Sequence, residues 1–326
     1  MYFIFLLLSA SVLFSQDIKD IKIPKAEEGY ADADQPQAAS INGNALFGQK
    51  DKEGIIAAAQ AELKKAPNDA SKLLAVGAAQ DSLLRFRESV DTYSVGIGKF
   101  PGDHRFFTKR GQRYISLRKF NEAISDLEAA VKTSKTSLDA SYYLGLAYYF
   151  SGDHTKAAAE FARCESQMKK PLGITEDLRG ARSCESMRED MNFLVRTQYW
   201  RYLALRRSGE MAAAKKYLDE EVSALMDIKA AKPFYDTLLF FKGVKEINEM
   251  LSGANEGSRD FLTRSSGAAT FLFTEGERSK GCGIWQRNAM DVNWDQVGQI
   301  NAETEYWQNS KAACLLYGAP AKPPQP

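Results

Sequence analysis

Residues 138–161 read Leu-Asp-Ala-Ser-Tyr-Tyr-Leu-Gly-Leu-Ala-Tyr-Tyr-Phe-Ser-Gly-Asp-His-Thr-Lys-Ala-Ala-Ala-Glu-Phe. Two runs with apolar residues three and four apart flank the pair Gly152-Asp153, where a helix has to stop and turn. The stretch repeats. Gly77, Gly111 and Gly145 are each 34 residues apart, and so are Val76, Arg110 and Leu144. The same phase links Gln80, Tyr114 and Tyr148; Phe86, Phe120 and His154; Ser89, Ala123 and Ala157; Tyr93, Leu127 and Phe161; and Gly96, Ala130 and Cys164. Pro67 and Pro101 stand 34 apart at the ends of units.

One period is therefore one helical hairpin. In Asn121–Lys132, Ala123, Ile124, Leu127, Ala130 and Val131 build a single helix face. A glycine inside a helix costs about 1 kcal/mol relative to alanine. Three in one phase imply close approach of the partner helix, expected at Ser89, Ala123 and Ala157. A lone hairpin exposes an apolar face that a neighbouring hairpin buries, so the period predicts a stacked all-α array.

These residues resemble the tetratricopeptide repeat family, whose pattern is a large residue, Leu-Gly, an aromatic three further on, a glycine turn, a small residue, an aromatic and a closing proline. Tyr143-Leu144-Gly145-Leu146-Ala147-Tyr148-Tyr149, with Gly152, Ala157 and Phe161, follows it closely; the second unit departs at Arg110, where leucine is usual. The resemblance implies a right-handed superhelix of helical hairpins with degenerate C-terminal repeats and capping helices. It implies a binding scaffold, with the first helix of each hairpin lining a groove for a protein or peptide partner. The groove positions are then Leu74 and Ala78; Thr108 and Gln112; Tyr142, Leu146 and Tyr149; and Tyr199 and Leu203. Arg105, Lys109 and Arg206 give it a basic edge suited to acidic flanks on the ligand. The lysine–asparagine carboxylate clamp of chaperone-binding members is replaced by Leu74, Ala78, Thr108 and Gln112.

Around the array, the expected organisation is a signal peptide at 1–15, a polar linker at 16–50, regular repeats at 51–169, an insertion at 170–194, degenerate repeats with capping helices at 195–316 and a proline-rich tail at 317–326. The apolar run Tyr2–Phe14 suits an export signal and is shorter than the roughly 20 residues needed to span a bilayer. The expected location is therefore periplasmic or secreted. No cysteine follows the run to carry a lipid, unlike the periplasmic tetratricopeptide lipoproteins that this layout more weakly resembles. In an oxidising compartment the sequence-local pairings of the four cysteines are Cys164–Cys184 and Cys282–Cys314, against a reading of all four as buried thiols.

The 43 basic and 42 acidic residues provide no bulk charge for nucleic acid, and two histidines provide little for a histidine-rich metal site. The chain has no phosphate loop, no HExxH and no Gly-x-Ser-x-Gly, so neither a cofactor nor enzymatic activity is expected. His104 reads as a loop residue beside Asp103, His154 as a packing residue, and the mixed-charge stretch around Arg179, Arg182, Arg188 and Arg196 as a solvated helix face. Gly281–Trp285 and Asp291–Asp295 combine tryptophans with carboxylates; carbohydrate chemistry is the alternative to their filling gaps at the end of the array.

Overall fold

A computed structural model describes residues 36–39, 45–168, 191–291, 294–309 and Cys314. The expected signal peptide, proline-rich tail and residues 170–190 of the insertion, with Cys184, lie outside the described residues. Among the described residues the chain is all-α apart from one antiparallel pair of two-residue strands, Ala38–Ala39 (β1) with Ala45–Leu46 (β2). A short helix, Ile55–Lys65 (α1), precedes the hairpins Ala70–Ser82/Phe86–Lys99 (α2/α3), His104–Ser116/Phe120–Thr133 (α4/α5) and Leu138–Ser151/His154–Met168 (α6/α7). Met191–Arg207/Met211–Glu221 (α8/α9), Lys232–Phe241/Ile247–Ser252 (α10/α11) and Arg259–Thr274/Arg278–Asn288 (α12/α13) follow, and Val297–Asn309 (α14) ends the described helices. Residues 191–194, assigned to the insertion by sequence, are the first turn of α8.

Local chemistry repeats with the period. Asp69, Asp103 and Ser137, 34 apart, each accept a backbone N–H of the helix they start. The turn between the two helices of each hairpin needs a left-handed residue. It is Leu84 (φ 55°), Arg118 (φ 62°) and Gly152 (φ 92°) in the regular units, then Gly209 (φ 84°), Gly243 (φ 71°) and Gly276 (φ 95°). Only glycine adopts this conformation without steric cost. The helical glycines serve close approach, though one turn beyond the expected partners. A Cβ on Gly77, Gly111 or Gly145 would lie 2.3, 2.6 or 2.5 Å from the side chain of Tyr93, Leu127 or Phe161. Arg110, the departure from leucine, forms a two-pronged ion pair with Asp126 at 2.7 Å and donates to Ser94 Oγ at 2.9 Å, tying α4 to α5 and α3.

Part of the expected polar linker is built into the fold. Gln37 donates to Glu88 (3.1 Å) and accepts from the Arg87 amide (2.8 Å), while Asp51 accepts the first two amides of α1. Beyond α9 the chain turns back: α12 packs on α8, and α14 packs on α12, α13 and α6. The C-terminal end thus meets the first repeats. Trp294 sits edge-on to Phe86 with ring centroids 5.2 Å apart, in a cluster with Ala38, Leu84 and Leu117. The main core runs from α4 to α10 and takes in Ile300 of α14, through a chain of rings in which Trp200 touches Tyr149, Phe150 and Tyr199 at 5.1–5.6 Å. Each such ring pair contributes about 0.5–1.5 kcal/mol beyond its area.

Helix α14, one of the expected capping helices, lacks the polar outer face that the end of an array usually presents to water. Eight consecutive residues, Gly298–Glu305, are buried, so the helix has no wet face there. Gly298 makes this possible: a Cβ on it would stand 2.7 Å from the Leu262 backbone of α12.

Candidate functional site

The first helices of the hairpins from α2/α3 to α8/α9 present their face in two zones. Over α6 and α8 the face is covered. Tyr142, Leu146, Tyr149, Tyr199, Leu203 and Arg206, expected to line or flank an open groove, are all buried. Tyr149 donates to Glu305 of α14 (2.7 Å), Tyr199 donates to the Thr263 carbonyl of α12 (3.1 Å), and Arg206 bonds Thr274 (2.7 Å) and Glu275 at the end of α12. The chain's own C-terminal helices therefore occupy the zone at Tyr149, Tyr199 and Arg206, while Tyr142 is closed in by Phe161 of α7 and Phe193 of α8, with ring centroids 6.1 and 5.3 Å away. Burial first, and then the Glu305 carboxylate, push the Tyr149 phenol well above its ordinary range. Burial likewise raises Tyr199 and Tyr142.

Over α2 and α4 the cover stops. Ala78 is exposed; Leu74, Arg105, Lys109 and Gln112 are half-exposed; Thr108 is buried, its hydroxyl turned to the His104 carbonyl at 2.9 Å. Gln112 donates to the Tyr143 hydroxyl at 2.7 Å, which orients both polar groups across the α4–α6 step. Arg105 is clasped by Asp103 at 2.5–3.0 Å. Burial would raise the Asp103 carboxyl, but the Arg105 hydrogen bonds and charge outweigh it and hold the group below the usual range. Of the three expected basic residues, two are therefore committed to internal carboxylates, and Lys109 remains the half-exposed cation of the open zone.

The covered zone is held by groups that sequence reasoning did not select. Arg118, in the α4–α5 turn, pairs with Glu303 of α14 at 2.9 Å, and Arg207, at the end of α8, pairs with Glu305 at 2.9 Å. Gln308 donates to the Phe150 carbonyl at 3.1 Å. A signal for the first was present: Arg118 stands one period before Gly152, a non-glycine where the turn asks for glycine. A second buried triad, Tyr217 and Arg201 on Glu165 at 2.5 and 2.7 Å, fixes α9 and α8 on α7.

The tryptophan-rich C-terminal stretch is interior. Trp285 and Trp294 are buried, Trp285 against Phe273 and Trp294 on Phe86, so neither offers a sugar platform. Cys282 is bridged to Cys314, with Cα atoms 5.4 Å apart. Cys164 is buried, its Sγ 4.0 Å from the Leu138 carbonyl; its candidate partner Cys184 is outside the described residues. His154 edges the Tyr149 ring at 5.0 Å, and burial lowers its pKa to about 4, the Glu305 charge opposing. Among the described residues no three His, Cys, Asp or Glu side chains are grouped to hold a metal, and no helix is long and apolar enough to cross a membrane.

No family model and no curated protein matches the chain. Among solved structures, a tetratricopeptide repeat protein from Parabacteroides merdae aligns with 77% of this chain and 91% of its own at 13% identity and a TM-score of 0.48. YrrB, described as a tetratricopeptide repeat protein with an unusual peptide-binding site, aligns with 76% of this chain and 97% of its own at 12% identity and a TM-score of 0.40. MamA aligns with 53% and 88%, at 18% identity and a TM-score of 0.39.

Proposed function

We propose that the chain is a protein-interaction scaffold, an exported adaptor of the cell envelope without chemistry of its own, and that it takes a partner peptide or protein on the open zone of α2 and α4. The observation that supports this is the contrast along one face: Tyr142 and Leu146 of α6 are buried, whereas Leu74, Ala78 and Gln112, in the same register on α2 and α4, are exposed or half-exposed, with Lys109 beside them. This zone combines the apolar Leu74 and Ala78, the Lys109 ammonium and a fixed amide–phenol pair. That suits an extended or helical segment with an acidic residue beside an apolar one. The apolar run at Tyr2–Phe14 supports export.

The test places a photo-crosslinking phenylalanine analogue at Ala78, at Lys109 and, as control, at Lys215 on α9. The same envelope partner captured from positions 78 and 109 and not from 215 supports the assignment. Equal capture at all three, or none at 78 and 109, refutes it. Fractionation of the same cells separates periplasm from medium, and recovery of the full-length precursor in the cytoplasm alone refutes export.

A further inference from the structure

We propose that α14 is the resident ligand of a second, latent helix-binding face, and that this face accepts in its place a partner helix carrying two carboxylates two positions apart. The inference goes beyond the open zone on α2 and α4 and does not depend on it.

Four observations carry it. The first is the division of chemistry. The array contributes the cations Arg118 and Arg207 and the Tyr149 hydroxyl, and α14 contributes their acceptors, Glu303 and Glu305. Residues two apart on a helix diverge by about 200°. The two carboxylates therefore straddle α14, one reaching the α4–α5 turn and the other the junction of α6 with α8. This is recognition of one helix in one pose.

The second is backbone strain on the receiving side. Leu84 and Arg118 hold φ of 55° and 62° where later units use glycine. Arg118 is the residue that meets Glu303, and Leu84 borders the cluster that receives Trp294. Strained turns concentrated where a covering segment docks are characteristic of binding surfaces.

The third is the incomplete fit of α14 to the rest of its surroundings. Both amide atoms of Asn301, and Oε1 of Gln299, are buried with no hydrogen-bond partner among the described residues. The Gly298 carbonyl accepts from Ser266 and the Gln299 amide donates to the Asp291 carbonyl, but the three orphaned atoms remain a cost of seating this helix, which favours its departure.

The fourth is the tether. The Cys282–Cys314 bridge ties the chain beyond α14 to α13. A tethered helix competes at high effective concentration, so the face is closed while the bridge stands.

The experiment uses the full chain with Cys282→Ser and Cys314→Ser, beside the bridged chain. The probe is a fluorescein-labelled peptide copying residues 294–309, followed by anisotropy. The unbridged chain is expected to bind it at least tenfold more tightly than the bridged chain does, and at least tenfold more tightly than it binds a peptide with Glu303→Gln and Glu305→Gln. Equal binding of the two peptides, or no binding to an unbridged chain of unchanged helicity, overturns the proposal. So does dimerisation of that chain with no peptide uptake, which makes a second copy the occupant. Where the unbridged chain loses its helicity, hydrogen exchange on the bridged chain decides. Amides of α14 exchanging at least tenfold faster than those of α6 and α12 support a resident ligand; equal protection makes α14 permanent core and overturns it.

Discussion

Replacing Arg118 by glycine should have opposite effects on stability in two backgrounds. In the native chain the substitution does two things. It removes the steric cost of a left-handed non-glycine residue, φ 62°, a gain of about 1 kcal/mol. It also takes the guanidinium from Glu303, whose side chain is only 3% exposed and keeps, of its contacts within 3.2 Å, the Gln299 amide. Removing one partner of a buried pair costs about 3–5 kcal/mol, because the remaining charge stays buried. The contact of Arg118 over the Trp294 ring, at 6.0 Å, is too distant to change the sum. The net expectation for Arg118→Gly is a loss of about 2–4 kcal/mol. In a Glu303→Gln background the charge to be neutralised is already gone and Arg118 is the uncompensated ion. There, Arg118→Gly removes both the strain and the unpaired charge, and should stabilise the chain by about 1 kcal/mol or more. Urea denaturation of the four chains, followed by helical ellipticity, measures the cycle. An interaction energy below about 0.5 kcal/mol, or the same loss in both backgrounds, would refute the reasoning that Arg118 tolerates its backbone for the sake of Glu303.

Three further outcomes are expected. Gly145→Ala drives a Cβ to 2.5 Å from the buried Phe161 ring and should cost about 1–3 kcal/mol, whereas Gly98→Ala in α3, which meets nothing within 4 Å, should gain about 0.5–1 kcal/mol; thermal melts showing the same sign for both would contradict the close-approach role. His154 is held down to about 4 by burial, against 6.5 for the free side chain, so the folded state binds fewer protons than the unfolded chain between these values. Its contribution is therefore complete above pH 6.5 and is lost as pH falls toward 4, by at most about 3 kcal/mol; His154→Phe, which restores the residue type of Phe86 and Phe120, should flatten urea midpoints between pH 7 and 4.5, and an unchanged slope would sink the assignment. Cutting the Cys282–Cys314 bridge, which spans a sequence separation of 32, should lower stability by about 3–4 kcal/mol, read as the urea midpoint with and without reductant.

What sequence could reveal here follows the range of the interactions. The hairpins were legible because their determinants are local and periodic: the glycine facing Tyr93, Leu127 or Phe161 lies sixteen residues away within the same unit, and the next unit repeats the geometry. The first helices were therefore identifiable, and so was the face they share. Whether that face is open depends on contacts of a different kind. Tyr149 meets Glu305 across 156 residues and Arg118 meets Glu303 across 185. Nothing periodic encodes such a pair. The covering helix also hides itself. Gln299-Ile300-Asn301-Ala302-Glu303-Thr304-Glu305 carries no apolar stripe, so it reads as a solvated cap although every one of these residues is buried. Ala38 and Gln37 were hidden in the same way, inside a stretch whose small and polar composition reads as linker while its side chains close the edge of α3.

A buried polar helix raises the question of what the charges achieve, since apolar residues of similar volume at such sites are often equally or more stabilising. The answer lies in pose. An apolar α14 could turn about its axis or slip along α12 and keep most of its buried area, because the hydrophobic effect is non-directional. With Glu303 and Glu305 the same slip is heavily penalised. One residue of rotation moves both carboxylates by about 100°, leaving Arg118, Arg207 and the Tyr149 hydroxyl buried without their acceptors at once. The close crossing at Gly298 adds a second lock, since any other residue brought opposite the Leu262 backbone would carry a Cβ into it. Two ion pairs and one glycine thus select a single arrangement among many of comparable burial. The same selectivity would let the array face distinguish a partner helix with correctly spaced carboxylates from the many amphipathic helices that lack them.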